Sequence, residues 1–293
     1  MAAYIAQGNN SFTIYNPSPS TSSQGYSYNY LQWNSVTITI TYEEAVSQPS
    51  VSSTSVNMGS AVTIYTNRVS TATTHTLLYT FGNTSGTIAT GVGASVSWTP
   101  ALTLAAQIPS ATSGTCTITC QSYNGGVLTG TRTYTLTLNV PSTIVPSISS
   151  VTVEDTNSTV ATRIQAYVKT LSTLSVDITA TGSYGSTVTS YRTSLDGVTY
   201  TAASFTASKK LSASGDMTLT VTVTDSRGRT ATYTETLTVL DYSYPSIRLF
   251  KADRCNSDGS AAQLDGTNVR YSFEGGVVSL NNKNALVCVV YYK

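Results

Sequence analysis

The sequence predicts an all-β fold of tandem immunoglobulin-like β-sandwiches, on three observations. Nearly every segment alternates apolar and polar side chains with period two, the pattern of a strand with one buried face. Ser and Thr supply 94 of the 293 residues while charged residues make up only 10%, so β-branched Thr takes the place of charge on the exposed strand faces. A short phrase recurs as Pro49-Ser-Val-Ser-Ser53, Pro146-Ser-Ile-Ser-Ser150 and Pro245-Ser-Ile247, at spacings of 97 and 99 residues. That period is the size of one immunoglobulin-type sandwich. No stretch of ten or more residues repeats apolar positions at i, i+3, i+4, so no amphipathic helix is expected.

Four segments follow in order. Residues 1–45 form an N-terminal β segment, an interface or partial sandwich. In it Tyr26, Tyr28 and Tyr30 alternate with small polar residues, Trp33 follows, and the run Val36-Thr-Ile-Thr-Ile-Thr-Tyr42 closes the segment. Residues 46–140 form a first sandwich closing on Tyr134-Thr-Leu-Thr-Leu-Asn-Val140, and residues 141–240 a second closing on Tyr233-Thr-Glu-Thr-Leu-Thr-Val239. Within residues 218–224, Leu219, Val221 and Val223 face one way and four Thr the other. Turns are expected at Asn124-Gly-Gly126, Asp196-Gly197 and Asp225-Ser-Arg-Gly228. Residues 241–293 carry only the opening part of a further unit. This C-terminal β segment is either short or completed by a partner, because unpaired strand edges and an apolar face promote association.

Charge and targeting exclude several functions. The net charge is +1, and residues 1–153 hold only Glu43, Glu44, Arg68 and Arg132 of the charged side chains. No basic face can release enough counterions for general nucleic-acid binding. No cationic helix serves a membrane surface, and the apolar run 285–292 is too short to span a bilayer. Residues 1–11 have no basic start and no apolar run, so no secretory signal is expected. An adhesin-like composition on a chain made in the cytoplasm without export suits a virion protein, assembled inside the host and freed by lysis.

Chemistry is mostly missing. The single histidine, His75, sits among threonines, and residues 1–153 contain no Asp. A Ser-His-Asp triad therefore lacks its acid, and His75 is expected to be solvent-exposed or interfacial. Glu154 and Asp155 are adjacent, so on a strand they point to opposite faces and cannot act as a glycosidase pair. The spacing Arg254-Cys-Asn256-Ser-Asp258-Gly259 with Asp265 approaches a calcium loop but places Arg where the first Asp belongs. An Asx-type turn is the expectation, with no metal and no cofactor. Arg227-Gly-Arg229 reads as a solvated hairpin tip. Cys116 and Cys120, four apart on an extended segment, lie roughly 13 Å apart at ~3.3 Å per residue, too far for a disulfide. They are expected as buried small apolar residues, while Cys255 and Cys288 could meet on neighbouring strands. The candidate ligand or interface feature is the stripe Tyr26, Tyr28, Tyr30 with Trp33. Residues at i, i+2 and i+4 of a strand share a face, and aromatic faces serve subunit packing or sugar contact.

Gly182-Ser-Tyr-Gly-Ser186, Leu195-Asp-Gly-Val-Thr-Tyr200, Val223-Thr-Asp-Ser-Arg-Gly-Arg-Thr230 and Asp241-Tyr-Ser-Tyr-Pro245 followed by Arg254-Cys-Asn-Ser-Asp-Gly259 carry a resemblance. Residues 46–293 resemble the siphophage minor structural proteins of the tail or tail fibre, which carry tandem immunoglobulin-like modules. The resemblance implies a non-enzymatic virion component, acting as a spacer or adhesion module. It would contact other virion proteins and could form a homo-oligomer such as a trimer. The alternative is a carbohydrate-binding adhesin whose aromatic stripe reads host-surface glycans.

Overall fold

The computed structural model describes residues 46–262, 264–287 and 289, which lie in one compact unit, Glu44–Lys293. The aromatic stripe of Tyr26, Tyr28, Tyr30 and Trp33 lies outside the described residues, as does Cys288. The described residues hold eighteen strands and two short helical segments, and the fold is all-β. The first eight are β1 (Ser50–Val51), β2 (Ser55–Asn57), β3 (Val62–Tyr65), β4 (Thr73–Phe81), β5 (Thr84–Val92), β6 (Ser95–Trp98), β7 (Ser113–Asn124) and β8 (Val127–Asn139). A 3-10 turn, Leu102–Gln107, lies between β6 and β7. They make a three-stranded sheet, β1-β3-β6, facing a five-stranded sheet, β2-β8-β7-β4-β5.

The next eight repeat that arrangement. They are β9 (Ser147–Asp155), β10 (Tyr167–Val168), β11 (Leu174–Thr181), β12 (Val188–Leu195), β13 (Val198–Tyr200), β14 (Ser204–Thr206), β15 (Gly215–Asp225) and β16 (Thr230–Leu240). A π-helical turn, Val160–Ile164, lies between β9 and β10. The sheets are β14-β11-β9 and β10-β16-β15-β12-β13, the same order strand for strand. Even the short second strand is conserved in role: β2 runs parallel to β8, and β10 parallel to β16. The architecture is that of tandem immunoglobulin-like sandwiches.

Alternation builds both cores. In β15, Leu219, Val221 and Val223 are buried while the intervening Thr residues face outward. In β7, Cys116, Ile118 and Cys120 are buried on one face. One core gathers Ile64, Leu77, Phe81, Ile118, Leu136 and their neighbours, the other Leu174, Val176, Leu195, Leu219 and Val221. Positive φ at Gly125 and Gly126, at Asp196 and Gly197, and at Gly228 closes the three hairpins, with the glycine-rich chemistry that such turns require.

A final pair, β17 (Ser246–Cys255) and β18 (Asn268–Gly276), forms an antiparallel two-stranded sheet. One of its faces brings together Phe250, Ala252, Tyr271, Phe273 and Val269, which follow from the pairings Phe250↔Phe273, Ala252↔Tyr271 and Arg254↔Val269. Phe250 is 62% and Val269 56% exposed. Between the strands Ser260 donates its backbone N–H to Asp258 Oδ1 at 2.9 Å, and Gly259 has φ +79°. This is an Asx-type turn.

Candidate functional site

Three polar features stand out against so plain a background. The first is His75. It is 1% exposed, which corrects the expectation of an exposed or interfacial ring. The reason is parity: on β4, His75 shares the inward face with Leu77 and Phe81. Its Nδ1 lies 2.9 Å from the Val92 carbonyl and its Nε2 2.8 Å from Ser47 Oγ. A carbonyl only accepts, so Nδ1 carries the proton and Ser47 donates its hydroxyl hydrogen to Nε2. Ser47 in turn is fully buried and its N–H donates to Ser122 Oγ, the residue opposite His75 on β7. A serine donating to a neutral imidazole has the form of a nucleophile and base. Here the hydroxyl is fully buried, and among the described residues no acid meets the ring, whose two nitrogens are taken by Val92 and Ser47. The cluster fastens residue 47, ahead of β1, to the first sandwich.

The second feature is the carboxylate pair. Asp155 Oδ1 accepts the N–H groups of Asn157 and Thr173 at 2.9 and 3.3 Å, while Glu154 is exposed on the opposite face. Asp155 therefore holds a turn together, beside a shallow cleft it shares with Ala161, Gln165, Ala166 and Tyr167. The two acids do not face a common groove. Among the described residues no group of three or more His, Cys, Asp or Glu is placed to hold a metal ion. None of their helices is long and apolar enough to cross a membrane.

The third feature is the junction between the sandwiches, where the structure departs most from the sequence reading. Arg227 and Arg229 do not sit in a solvated tip. Asp225 Oδ1 accepts the backbone N–H of both Arg227 and Arg229, at 3.0 and 2.9 Å, and shapes the β15–β16 turn. That turn drives Arg227 against the first sandwich and Arg229 against the linker. Arg227, only 7% exposed, donates from Nη2 to the Ala105 carbonyl at 2.8 Å and to the Tyr184 carbonyl at 2.7 Å. Its Nη1 donates to the Ser183 carbonyl at 2.7 Å, and its Nε to that of Ile108. Arg229 donates to the carbonyls of Val140, Pro141 and Ile144 in the linker. Ser226 Oγ adds a 2.6 Å bond to the Pro109 carbonyl. Burial lowers the Arg227 pKa, the Asp225 carboxylate raises it and Arg229 lowers it again. The guanidinium nonetheless stays charged, as arginine does throughout the accessible range.

The loop between β11 and β12 completes this joint. Gly185 has φ +83°, and a Cβ there would sit 2.9 Å from the Ala106 Cα. Ser183 Oγ donates to the Val145 carbonyl at 2.7 Å, and Ile144 of the linker packs against the first core. Hydrogen bonds from a charged donor to backbone carbonyls are roughly twice as strong as neutral ones. The planar guanidinium presents several donors at fixed angles, so the joint sets both distance and orientation. The signal missed in the sequence was the low charge density itself. In a chain that uses so few cations, two arginines in one tight turn have a specific task.

The fibronectin(III)-like modules of Clostridium thermocellum CbhA align over 66% of this chain and 95% of theirs, at 12% identity and TM-score 0.26. Sidekick-1 immunoglobulin domains 1–4 align over 69% of this chain and 51% of theirs, at 15% identity and TM-score 0.34. A Ca2+-stabilized adhesin that helps an Antarctic bacterium bind ice aligns over 73% and 54%, at 16% identity and TM-score 0.27. The chain thus spans about half the length of the last two. No curated protein matches the sequence. The model of the siphovirus protein family of unknown function DUF859 matches residues 6–267, and the chain belongs to that family.

Proposed function

We propose that this siphovirus protein is a non-enzymatic structural component of the virion, associated with the tail or its fibres, where tandem sandwiches hold an attachment element away from the particle. The observation that supports this reading most is the joint between the sandwiches. A spacer must transmit position, and a linker bridged by Arg227 to two carbonyls of the first sandwich and held by Arg229 at the Val140, Pro141 and Ile144 carbonyls does so. Domains of one chain more often meet through small polar contacts that permit relative motion. The partners are other virion proteins, and the chain assembles with copies of itself, as in a trimeric fibre. Mass spectrometry of purified particles tests the reading: the protein should copurify with intact virions at a fixed ratio to the major tail protein. Detection only in the unassembled lysate fraction would sink it. A glycan array probed with the full chain separates spacer from receptor-binding roles, since a spacer binds no glycan.

A further inference from the structure

The joint just described has a second, incomplete-looking neighbour at the other end of the second sandwich. We infer that the segment from β17 to residue 284 is the opening of a third immunoglobulin-like module, and that it is docked on the second sandwich through the same kind of interface that joins the second to the first. This extends the spacer reading to a repeated joint, and it can fail without that reading failing.

Topology supplies the first part of the argument. β17 begins at Ser246, as β9 begins at Ser147. It pairs antiparallel with β18 as β9 pairs with β11 and β1 with β3. The β17–β18 pair is therefore the opening pair of the three-stranded sheet in each complete sandwich. Its apolar face, Phe250 and Phe273 with Ala252, Tyr271 and Val269, corresponds to an inner face of such a sheet.

Contacts supply the second part, and three of them recur. Each linker places one apolar residue against the preceding module: Ile144 against the first core, and Tyr242 against a cluster of Val160, Val168, Leu240 and Leu280. Each following module brings down the loop after its second long strand. In the second sandwich this is the Ser183–Gly185 stretch against Ala106. In the C-terminal segment it is the stretch carrying Val278 and Leu280, the latter 5% exposed. Finally, a cation of the following module is satisfied by the carbonyls at the end of a one-turn helix of the preceding one. Arg227 meets Ala105 and Ile108 at the end of the 3-10 turn. Lys283 Nζ donates at 2.9 Å to the Ile164 carbonyl, the last residue of the π-helical turn, and at 2.9 Å to Gln165 Oε1. The Ala105 and Ile108 carbonyls also accept the backbone N–H groups of Ile108 and Ala111, but a carbonyl oxygen has two lone pairs and the end of a helical turn carries a partial negative charge, so it fits a cation. The exposed end of each sandwich is in this sense a socket, and the partner it accepts is a following module that brings a basic residue to it, from the β15–β16 turn at the first joint and from the stretch after β18 at the second.

Hydrogen exchange on the full-length chain tests the inference. Lys283→Met should speed exchange of the Ala161 and Gln165 amides, which close the π-helical turn, by roughly ten-fold. It should leave the Leu104 and Ile108 amides of the first joint unchanged. Arg227→Met should do the reverse, and Lys283→Arg should restore protection at the second joint. Small-angle scattering should show the maximum dimension spread for both Met variants. Leu280→Ser, which removes the apolar half of the contact, should reproduce the Lys283→Met pattern. Unchanged exchange at Ala161 and Gln165 in both Lys283→Met and Leu280→Ser would overturn the shared joint. Loss of protection throughout residues 147–240 would overturn it as well, since the contact would then belong to the second core and not to a joint.

Discussion

At the residue scale, buried polar and thiol groups are where this protein departs from a plain alternating pattern. His75 holds two partners that water cannot replace, the Val92 carbonyl and Ser47 Oγ. Replacing it by Ala should lower stability by about 2–3 kcal/mol, because both partners lose a buried hydrogen bond. Denaturant unfolding of the chain measures this, and a loss below about 0.5 kcal/mol, the scale of an ordinary surface substitution, would refute the role. Parity on β4 made the burial of His75 legible, since Leu77 and Phe81 share its face, but its polar surroundings hid it. Cys116 and Cys120 are free and buried on β7, as the four-residue spacing required. Burial pushes both thiols from 9.0 up to about 11, with a backbone bond to Thr80 opposing it at Cys116. A raised thiol pKa favours the protonated native form, so their contribution is intact below pH 9 and is lost as pH rises through about 11. Alkylation at pH 8 should be slow in the native protein and complete on unfolding. A mapped Cys116–Cys120 disulfide would contradict the strand geometry. Cys255 is likewise a free, buried thiol.

At the scale of elements, turns decide more than strands. The β12–β13 turn is anchored by Asp196, whose carboxylate accepts the backbone and hydroxyl hydrogens of Ser212 and pairs with Lys209 at 3.3 Å. Burial raises its pKa, but the Ser212 and Lys209 contacts outweigh it and hold the group below 3.8. A lowered carboxylate pKa stabilises the fold above the unfolded value, and that support is lost as pH falls through the folded value. Ser212→Ala should therefore flatten the stability profile below pH 3.8, as read by denaturant midpoints at successive pH values. An unchanged acid limb would show that Asp196 carries no such linkage. The β15–β16 turn matters more. Arg227→Ala should cost roughly 3 kcal/mol, since charge-assisted bonds to four carbonyls are lost. Gly185→Val should loosen the same joint through its positive φ and the nearby Ala106 backbone. In both variants calorimetry should resolve the melting of the two sandwiches, and a single sharp transition like the wild type would argue against coupling through this joint.

At the scale of the whole molecule, the repeat near 98 residues sets the organisation. If each sandwich is self-sufficient, fragments 46–140 and 141–240 should each fold with a β-type circular dichroism spectrum and a cooperative melt, because about 100 residues can bury an adequate core. Failure of both to fold would show that the repeat marks no domain boundary. Sedimentation of the full chain against residues 46–240 bears on assembly: self-association should follow the full chain, and equal monomeric behaviour across a wide concentration range would exclude it.

The sequence by itself determined the all-β class, the repeat, the hairpin turns and the inward positions of Leu219, Val221, Val223, Cys116 and Cys120. Those depend on period-two alternation and on Gly and Asp at turn positions, which are local in the chain. The order of strands within each sheet, the hydrogen-bond partners of His75 and the use of Arg227, Arg229 and Lys283 were decided only in three dimensions. Their partners lie far away in sequence, 119 to 122 residues for the Arg227 contacts with the first sandwich and 119 for Lys283 with Ile164. A basic residue in a turn has the same local signature whether it faces water or a neighbouring module. Only the packing of one sandwich against the next brings up the carbonyls that turn such a residue into a joint.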